Sequence, residues 1–207
     1  MNNNVRPIII AVVGPSCSGK STVSSWLSSI LPDSLHVELD DFFKDLNKRM
    51  FFSHGFKDMD RPSNLHFDEL YTILRRLKEG KSALMPHYSK KVGRRVAMIK
   101  VEPRPIIIVE GYLLFYKKYL ADLCDYKIFM NISEKVQYDR RETTYHSPPE
   151  YVKEIVIPTF RKYGVPERKM CDIVVDASKP LHSVEYEVLK LLQKRFPGKI
   201  NPVKRTV

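Results

Sequence analysis

A chain of 207 residues with 43% apolar side chains can bury one core of good size, and its apolar runs fall far short of the roughly 20 residues that cross a bilayer. The start Met1-Asn2-Asn3-Asn4-Val5-Arg6-Pro7 lacks a signal-peptide layout, and Cys17, Cys124 and Cys171 are odd in number without C-x-x-C spacing, so a cytoplasmic protein with reduced thiols, no membrane partner and no zinc site is expected. The formal charge of +11 arises from 35 Lys and Arg against 24 Asp and Glu, but the cations fall in short clusters (Lys90-Lys91, Arg94-Arg95, Lys117-Lys118, Arg140-Arg141) without a nucleic-acid-binding signature; a polyphosphate substrate and solvated surface account for them, and no specific nucleic-acid partner is expected.

The first element is the apolar run Ile8 to Val13, which reads as a buried strand. Gly14-Pro15-Ser16-Cys17-Ser18-Gly19-Lys20-Ser21 follows it in the pattern G-x-x-x-x-G-K-S, and Val23, Trp26, Leu27, Ile30 and Leu31 then recur at helical spacing. Strand, glycine-bearing loop and helix in that order bind nucleotide phosphates through backbone N–H groups and the helix N-terminus, while Lys20 adds a positive charge and the Ser21 hydroxyl can ligand Mg²⁺. Gly14, Ser16, Cys17, Ser18, Gly19, Lys20, Ser21 and Thr22 are therefore the candidate nucleotide-phosphate-binding residues. By composition alone such a string arises in a chain this long on the order of once in a hundred cases.

A second strand over Leu35 to Leu39 delivers Asp40 and Asp41 to the crevice at the C-terminal ends of a parallel sheet. Asp40 is a candidate catalytic carboxylate for phosphoryl transfer, orienting an acceptor hydroxyl and taking its proton; Asp41 is a candidate cap for a following helix. Phe67, Leu70, Tyr71, Leu74 and Leu77 predict a core-facing helix that stops at Gly80, and residues 83–102 predict two short strands and a basic loop inserted into the α/β pattern. Ile106 to Val109 is a strand that ends in Glu110-Gly111, placing a second acid in the crevice as a candidate Mg²⁺ ligand opposite Ser21, with Gly111 permitting close approach of a ligand. Tyr126 to Ile132 is the next strand, and the helix after Ser133 is expected to end at Arg140 and Arg141, whose guanidinium forks suit phosphate oxygens, before a lid over residues 140–150. A strand at Ile173 to Val175, a helix carrying Leu181, Val184, Val188, Leu191 and Leu192, and a frayed tail from Lys199 to Val207 complete the reading. None of the six histidines has paired ligand spacing. The whole is an α/β fold of the P-loop NTPase type: one domain over residues 1–207, a parallel sheet flanked by helices, a small β-hairpin insertion and a lid.

These residues resemble the uridine kinase-like P-loop nucleoside kinases. Beyond the phosphate loop, the resemblance rests on Asp40-Asp41-Phe42-Phe43-Lys44, Met59-Asp60-Arg61-Pro62 with Phe67-Asp68, Ile108-Val109-Glu110-Gly111-Tyr112-Leu113-Leu114-Phe115, Arg140-Arg141 and Asp172-Ile173-Val174-Val175-Asp176. It implies an enzyme that uses ATP and Mg²⁺ to phosphorylate the 5′-hydroxyl of a small ribonucleoside, with Asp40, Lys20, Arg140 and Arg141 catalytic and Asp60 holding the ribose hydroxyls. It also implies Tyr88, Glu110 and Arg140 beside the substrate. Asp-Asp-Phe-Phe-Lys, Glu-Gly-Tyr-Leu-Leu-Phe and the stretch from Arg140 to Tyr163 look like nicotinamide riboside kinases, which are the first expectation. Asp60-Arg61-Pro62, Arg75 to Lys81 and Pro86-His87-Tyr88 look like uridine kinases, so uridine or cytidine is the alternative. Gly93 stands near the place of a base-contacting His in the uridine branch, and Thr143 and Thr144 replace further lid arginines. A nucleotide-hydrolysing switch is disfavoured by the absence of an N-K-x-D motif, and a non-catalytic scaffold by the presence of Lys20, Ser21, Asp40 and Glu110 together.

Overall fold

The structure, a computed structural model, describes residues 6–46 and 52–203. Its centre is a five-stranded sheet in the order Ser34–Glu38, Ile106–Gly111, Ile8–Val13, Tyr126–Asn131, Ile173–Asp176, with every neighbouring pair parallel. The chain runs through β1 (Ile8–Val13), α1 (Lys20–Ile30), β2 (Ser34–Glu38) and a 3₁₀ turn (Leu39–Phe42). Two short paired strands, β3 (Phe52–Ser53) and β4 (Phe56–Lys57), come next, and then α2 (Phe67–Lys78). The hairpin β5 (Ala83–Ser89) and β6 (Arg94–Val101) precedes β7 (Ile106–Gly111), α3 (Lys118–Leu123) and β8 (Tyr126–Asn131). After α4 (Glu134–Tyr145), one helical stretch joins α5 (Pro149–Tyr151), a π-helical turn (Val152–Val156), α6 (Ile157–Thr159), a second π-helical turn (Phe160–Gly164) and a 3₁₀ segment (Val165–Met170). The chain closes with β9 (Ile173–Asp176) and α7 (Leu181–Arg195). No helix among the described residues is long and apolar enough to cross a membrane.

Because successive strand side chains point to opposite faces, β1 feeds two cores. Ile9, Ala11 and Val13 join Leu70, Leu74 and Leu77 of α2 on one face, and Ile8, Ile10 and Val12 join Val23 and Leu27 of α1 with Val184, Val188 and Leu192 of α7 on the other. That double burial explains why the central strands read as unbroken apolar runs. In α2, Asp68 and Glu69 occupy the first turn and Arg75, Arg76 and Lys78 the last, each sign complementing the helix dipole. Ser133 caps α4, its Oγ accepting from the Val136 N–H at 3.2 Å.

Several expectations are corrected. Arg140 and Arg141 lie inside α4, which continues to Tyr145, so only residues 146–148 join it to the next helix and the loop expected over 140–150 is mostly helical. The run Glu-Thr-Thr-Tyr carries no breaker, and the turn waits for His146 in the left-handed region (φ 49°) ahead of Pro148. The tail is docked as far as it is described: Ile200 is buried and the Val203 N–H donates to the Ile30 carbonyl at 2.9 Å; residues 204–207 lie outside the described residues. Gly111 faces protein, since a Cβ there would come within 2.5 Å of the Leu39 side chain.

Candidate active site

The parallel arrangement puts the C-terminal ends of β1, β2 and β7 on one edge, and the chain segments leaving those ends line a cavity of about 470 Å³. Ser16, Cys17, Gly19, Lys20, Ser21 and Thr22 form its donor end; Asp40, Asp60, Tyr88, Glu110, Tyr112, Arg140 and Arg141 line the rest. The sequence-predicted site residues thus meet in one place, except Gly14 and Ser18, which shape the loop from behind. Gly14 has φ 146°, and a Cβ would sit 2.4 Å from the Met130 carbonyl oxygen, so this backbone crosses β8 where no other residue fits.

In the loop, the Lys20 ammonium donates to the Pro15 carbonyl at 2.8 Å, folding over the cradle that phosphates would fill. Burial lowers the Lys20 pKa, against the opposing pull of Glu110 and then Asp40. Ser21 Oγ donates to Glu110 Oε1 at 2.7 Å. Glu110 is buried, and desolvation pushes its carboxyl up to about 7 against the attraction of Lys20. A hydroxyl and a carboxylate side by side are the hard oxygen donors Mg²⁺ takes, and two protein ligands suit an ion that keeps waters and phosphate oxygens in its remaining positions. Among the described residues no group of three or more His, Cys, Asp or Glu is placed to hold a metal ion.

Asp40 and Asp41 sit in the 3₁₀ turn just past β2. Asp41 caps no helix: its Oδ1 accepts from the Tyr88 N–H at 2.9 Å and lies 3.2 Å from His87 Nδ1, pinning β5 to the turn. Asp40 Oδ2 lies 2.6 Å from Lys90 Nζ. Asp60 is buried at the other wall, accepts from the Tyr151 hydroxyl at 2.5 Å and faces Arg141 at 3.8 Å. Burial raises the Asp60 pKa while Arg141 and the Tyr151 hydrogen bond oppose the rise.

The two adjacent arginines differ in what they touch. Arg140 braces the phosphate loop, donating to the Cys17 carbonyl at 3.2 Å and the Ala177 carbonyl at 3.1 Å. Arg141 donates to Ser16 Oγ at 2.6 Å, and its guanidinium carbon stands 5.5 Å and 5.7 Å from the ring centres of Tyr145 and Tyr151, so it spans from the phosphate loop to Asp60. Arg141 Nε and the Tyr88 and Tyr112 hydroxyls are buried without a protein hydrogen-bond partner among the described residues. Buried donors left unpaired are costly, and three beside one cavity point to a polar ligand. Tyr88 also stacks obliquely on Phe43, their ring centres 5.7 Å apart.

Sequence reasoning missed Lys90, which it grouped with solvated charge, and gave no individual role to Phe43, Tyr112 or Tyr151. Tyr151 could have been found only through the partner it reaches 91 positions away. The same holds for Lys90, whose partner lies 50 positions away, whereas Phe43 and Tyr112 stand inside motifs already singled out.

A phosphate loop beneath a parallel sheet, with a hydroxyl–carboxylate pair and two acids in one crevice, defines a P-loop kinase. Residues 9–180 match the Phosphoribulokinase / Uridine kinase family, and the chain belongs to it. It is 26% identical to a probable uridine-cytidine kinase of Caenorhabditis elegans, with 95% of this chain and 88% of that protein covered. It is 30% identical to a uridine kinase of Streptococcus agalactiae, with 82% and 87% covered. Among solved structures, a possible uridine kinase from Bacillus stearothermophilus shares the fold with a TM-score of 0.58 at 17% identity, over 82% of this chain and 89% of that one.

Proposed function

We propose that this protein phosphorylates the 5′-hydroxyl of a pyrimidine ribonucleoside, uridine or cytidine, with Mg-ATP as donor. The observation that carries the reading is the convergence of Lys20, the Ser21–Glu110 pair, Asp40 and Asp60 on one cavity in a member of this family. In the proposed reaction Asp60, steadied by Tyr151 and Arg141, holds the ribose, and Asp40 directs the 5′-oxygen. The acceptor oxygen bonds to the γ-phosphorus as the bond from that phosphorus to the bridging oxygen breaks, its electron pair leaving with ADP and the hydroxyl proton passing to Asp40. Lys20 and Arg141 offset charge on the transferred group, and Arg140 keeps the loop in shape. Ser21 and Glu110 would hold Mg²⁺, which would supply charge neutralisation to the phosphates when bound. An odd count of three cysteines without C-x-x-C spacing supports the proposed cytoplasmic setting.

The order of the two candidate nucleosides is the reverse of that expected from sequence. The two curated relatives above are named for uridine and cytidine, and among the described residues the carboxylates lining the acceptor end are matched: Asp40 faces Lys90 and Asp60 faces Arg141 and Tyr151. A neutral pyrimidine against Phe43 and Tyr88, with the Tyr88 and Tyr112 hydroxyls free to hydrogen-bond, suits that balance. A panel of uridine, cytidine, nicotinamide riboside and adenosine with Mg-ATP tests this. The highest kcat/KM is expected for uridine or cytidine; preference for nicotinamide riboside, or ADP release without nucleoside, contradicts it.

A further inference from the structure

The acid assigned to the acceptor proton is held by a group from outside the sheet. Lys90 lies in the loop between β5 and β6, and its ammonium stands 2.6 Å from Asp40 Oδ2; among the described residues no second cation comes within ion-pair distance of that carboxylate. The loop is gripped on both sides by the segment that carries Asp40. Before Lys90, the Tyr88 N–H reaches Asp41 at 2.9 Å. After it, the Gly93 carbonyl accepts from the Leu46 N–H at 2.7 Å and the Arg95 N–H reaches Asp45 at 2.7 Å. Arg95 also pairs with Glu69 of α2 at 2.6 Å. The backbone at Lys90 is thus fixed relative to the 3₁₀ turn, while its side chain is 65% exposed at the rim of the cavity.

A pair so exposed adds little to stability, and anchoring the hairpin does not need it. What it does change is the direction of the Asp40 carboxylate. An ammonium on Oδ2 leaves the second oxygen and the remaining lone pairs to face the cavity, where the acceptor hydroxyl must donate. We infer that Lys90 is a positioning residue for phosphoryl transfer: it holds the Asp40 carboxylate in the orientation that meets the acceptor hydroxyl, so that docking of the β5–β6 hairpin and assembly of the proton acceptor are one event. The inference rests on the proposed role of Asp40.

The experiment compares Lys90→Met, Lys90→Arg, Asp40→Asn, the Asp40→Asn/Lys90→Met double variant and Arg94→Ala, an exposed neighbour with no part in the site, by single-turnover transfer from labelled ATP to uridine. Unchanged far-UV circular dichroism checks folding of each. Lys90→Met should lower the transfer rate at least about tenfold with the KM for ATP within about twofold, Lys90→Arg should recover most of it, and Arg94→Ala should match the parent protein. In the Asp40→Asn background Lys90→Met should cost nothing further, because the group it positions is gone. A rate for Lys90→Met that is unchanged or raised, or an equal loss in both backgrounds, overturns the assignment of Lys90. Near-normal transfer by Asp40→Asn would instead overturn the role of Asp40 itself.

Discussion

Single side chains carry the chemistry, and their contacts separate roles that the sequence lumps together. Asp40→Ala should cut turnover by about 10²–10⁴-fold while ATP affinity stays within a few-fold, because the proposed role of the lost group is on the acceptor and its ion pair is with Lys90, outside the phosphate loop. Steady-state kinetics with a fluorescent ATP-binding assay checks both halves. Arg140 and Arg141 should part company in the same measurement. Arg141→Met removes the guanidinium that joins Ser16 to Asp60, so a loss of about tenfold or more in kcat is expected; Arg140→Met releases the phosphate-loop carbonyl of Cys17 and the carbonyl of Ala177 after β9, and should appear mainly as a raised KM for ATP. Equal effects of the two substitutions on both parameters would show that neighbours in sequence share one role after all.

Elements decide which of these side chains can meet. The phosphate loop takes its path only because Gly14 passes the Met130 carbonyl, so Gly14→Ala should destabilise the fold by at least about 1–3 kcal/mol in urea denaturation, a penalty not expected at an exposed position such as Gln193 in α7. The five strands of the central sheet and α1, α2 and α7 were legible because period-2 and period-3.6 patterns report burial locally: Ile8 to Val13 reads as doubly covered since it is. By contrast β3 and β4, two residues each, are too short to show a period. The hairpin was legible from its turn residues. The end of α4 was misread because a pair of arginines before a polar run looks like a terminus, whereas the helix stops where His146 adopts a left-handed φ before Pro148. Lys90 and Tyr151 were illegible for a different reason. Their partners lie 50 and 91 positions away, and no local pattern encodes which distant carboxylate a lysine or tyrosine will face.

Across the whole molecule, a fully buried acid helps tie the helical stretch from α5 onward to the segment between β7 and α3. Glu167 Oε1 accepts from the Phe115 N–H at 2.8 Å, and burial raises its pKa well above the ordinary glutamate value, with that backbone bond opposing. The folded state therefore keeps a proton that the unfolded chain releases near pH 4.3, and stability falls as pH rises above that value. Glu167→Gln retains an acceptor for Phe115, so its urea midpoint should match the parent near pH 4 and exceed it by a growing margin towards pH 8; a margin that stays constant with pH would remove Glu167 as the cause. Ligand removal gives a second readout: saturating Mg-ATP at about 100 times its Kd should stabilise the protein by about 2.7 kcal/mol, and Lys20→Ala should abolish most of that gain. The most direct measurement of the central claim is transfer of labelled γ-phosphate from ATP to uridine by the purified protein and its Asp40→Ala variant. The account predicts labelled uridine 5′-monophosphate formed one-for-one with ADP by the parent and suppressed at least about a hundredfold in the variant. Label appearing in inorganic phosphate without nucleoside, or equal transfer by both proteins, would contradict it.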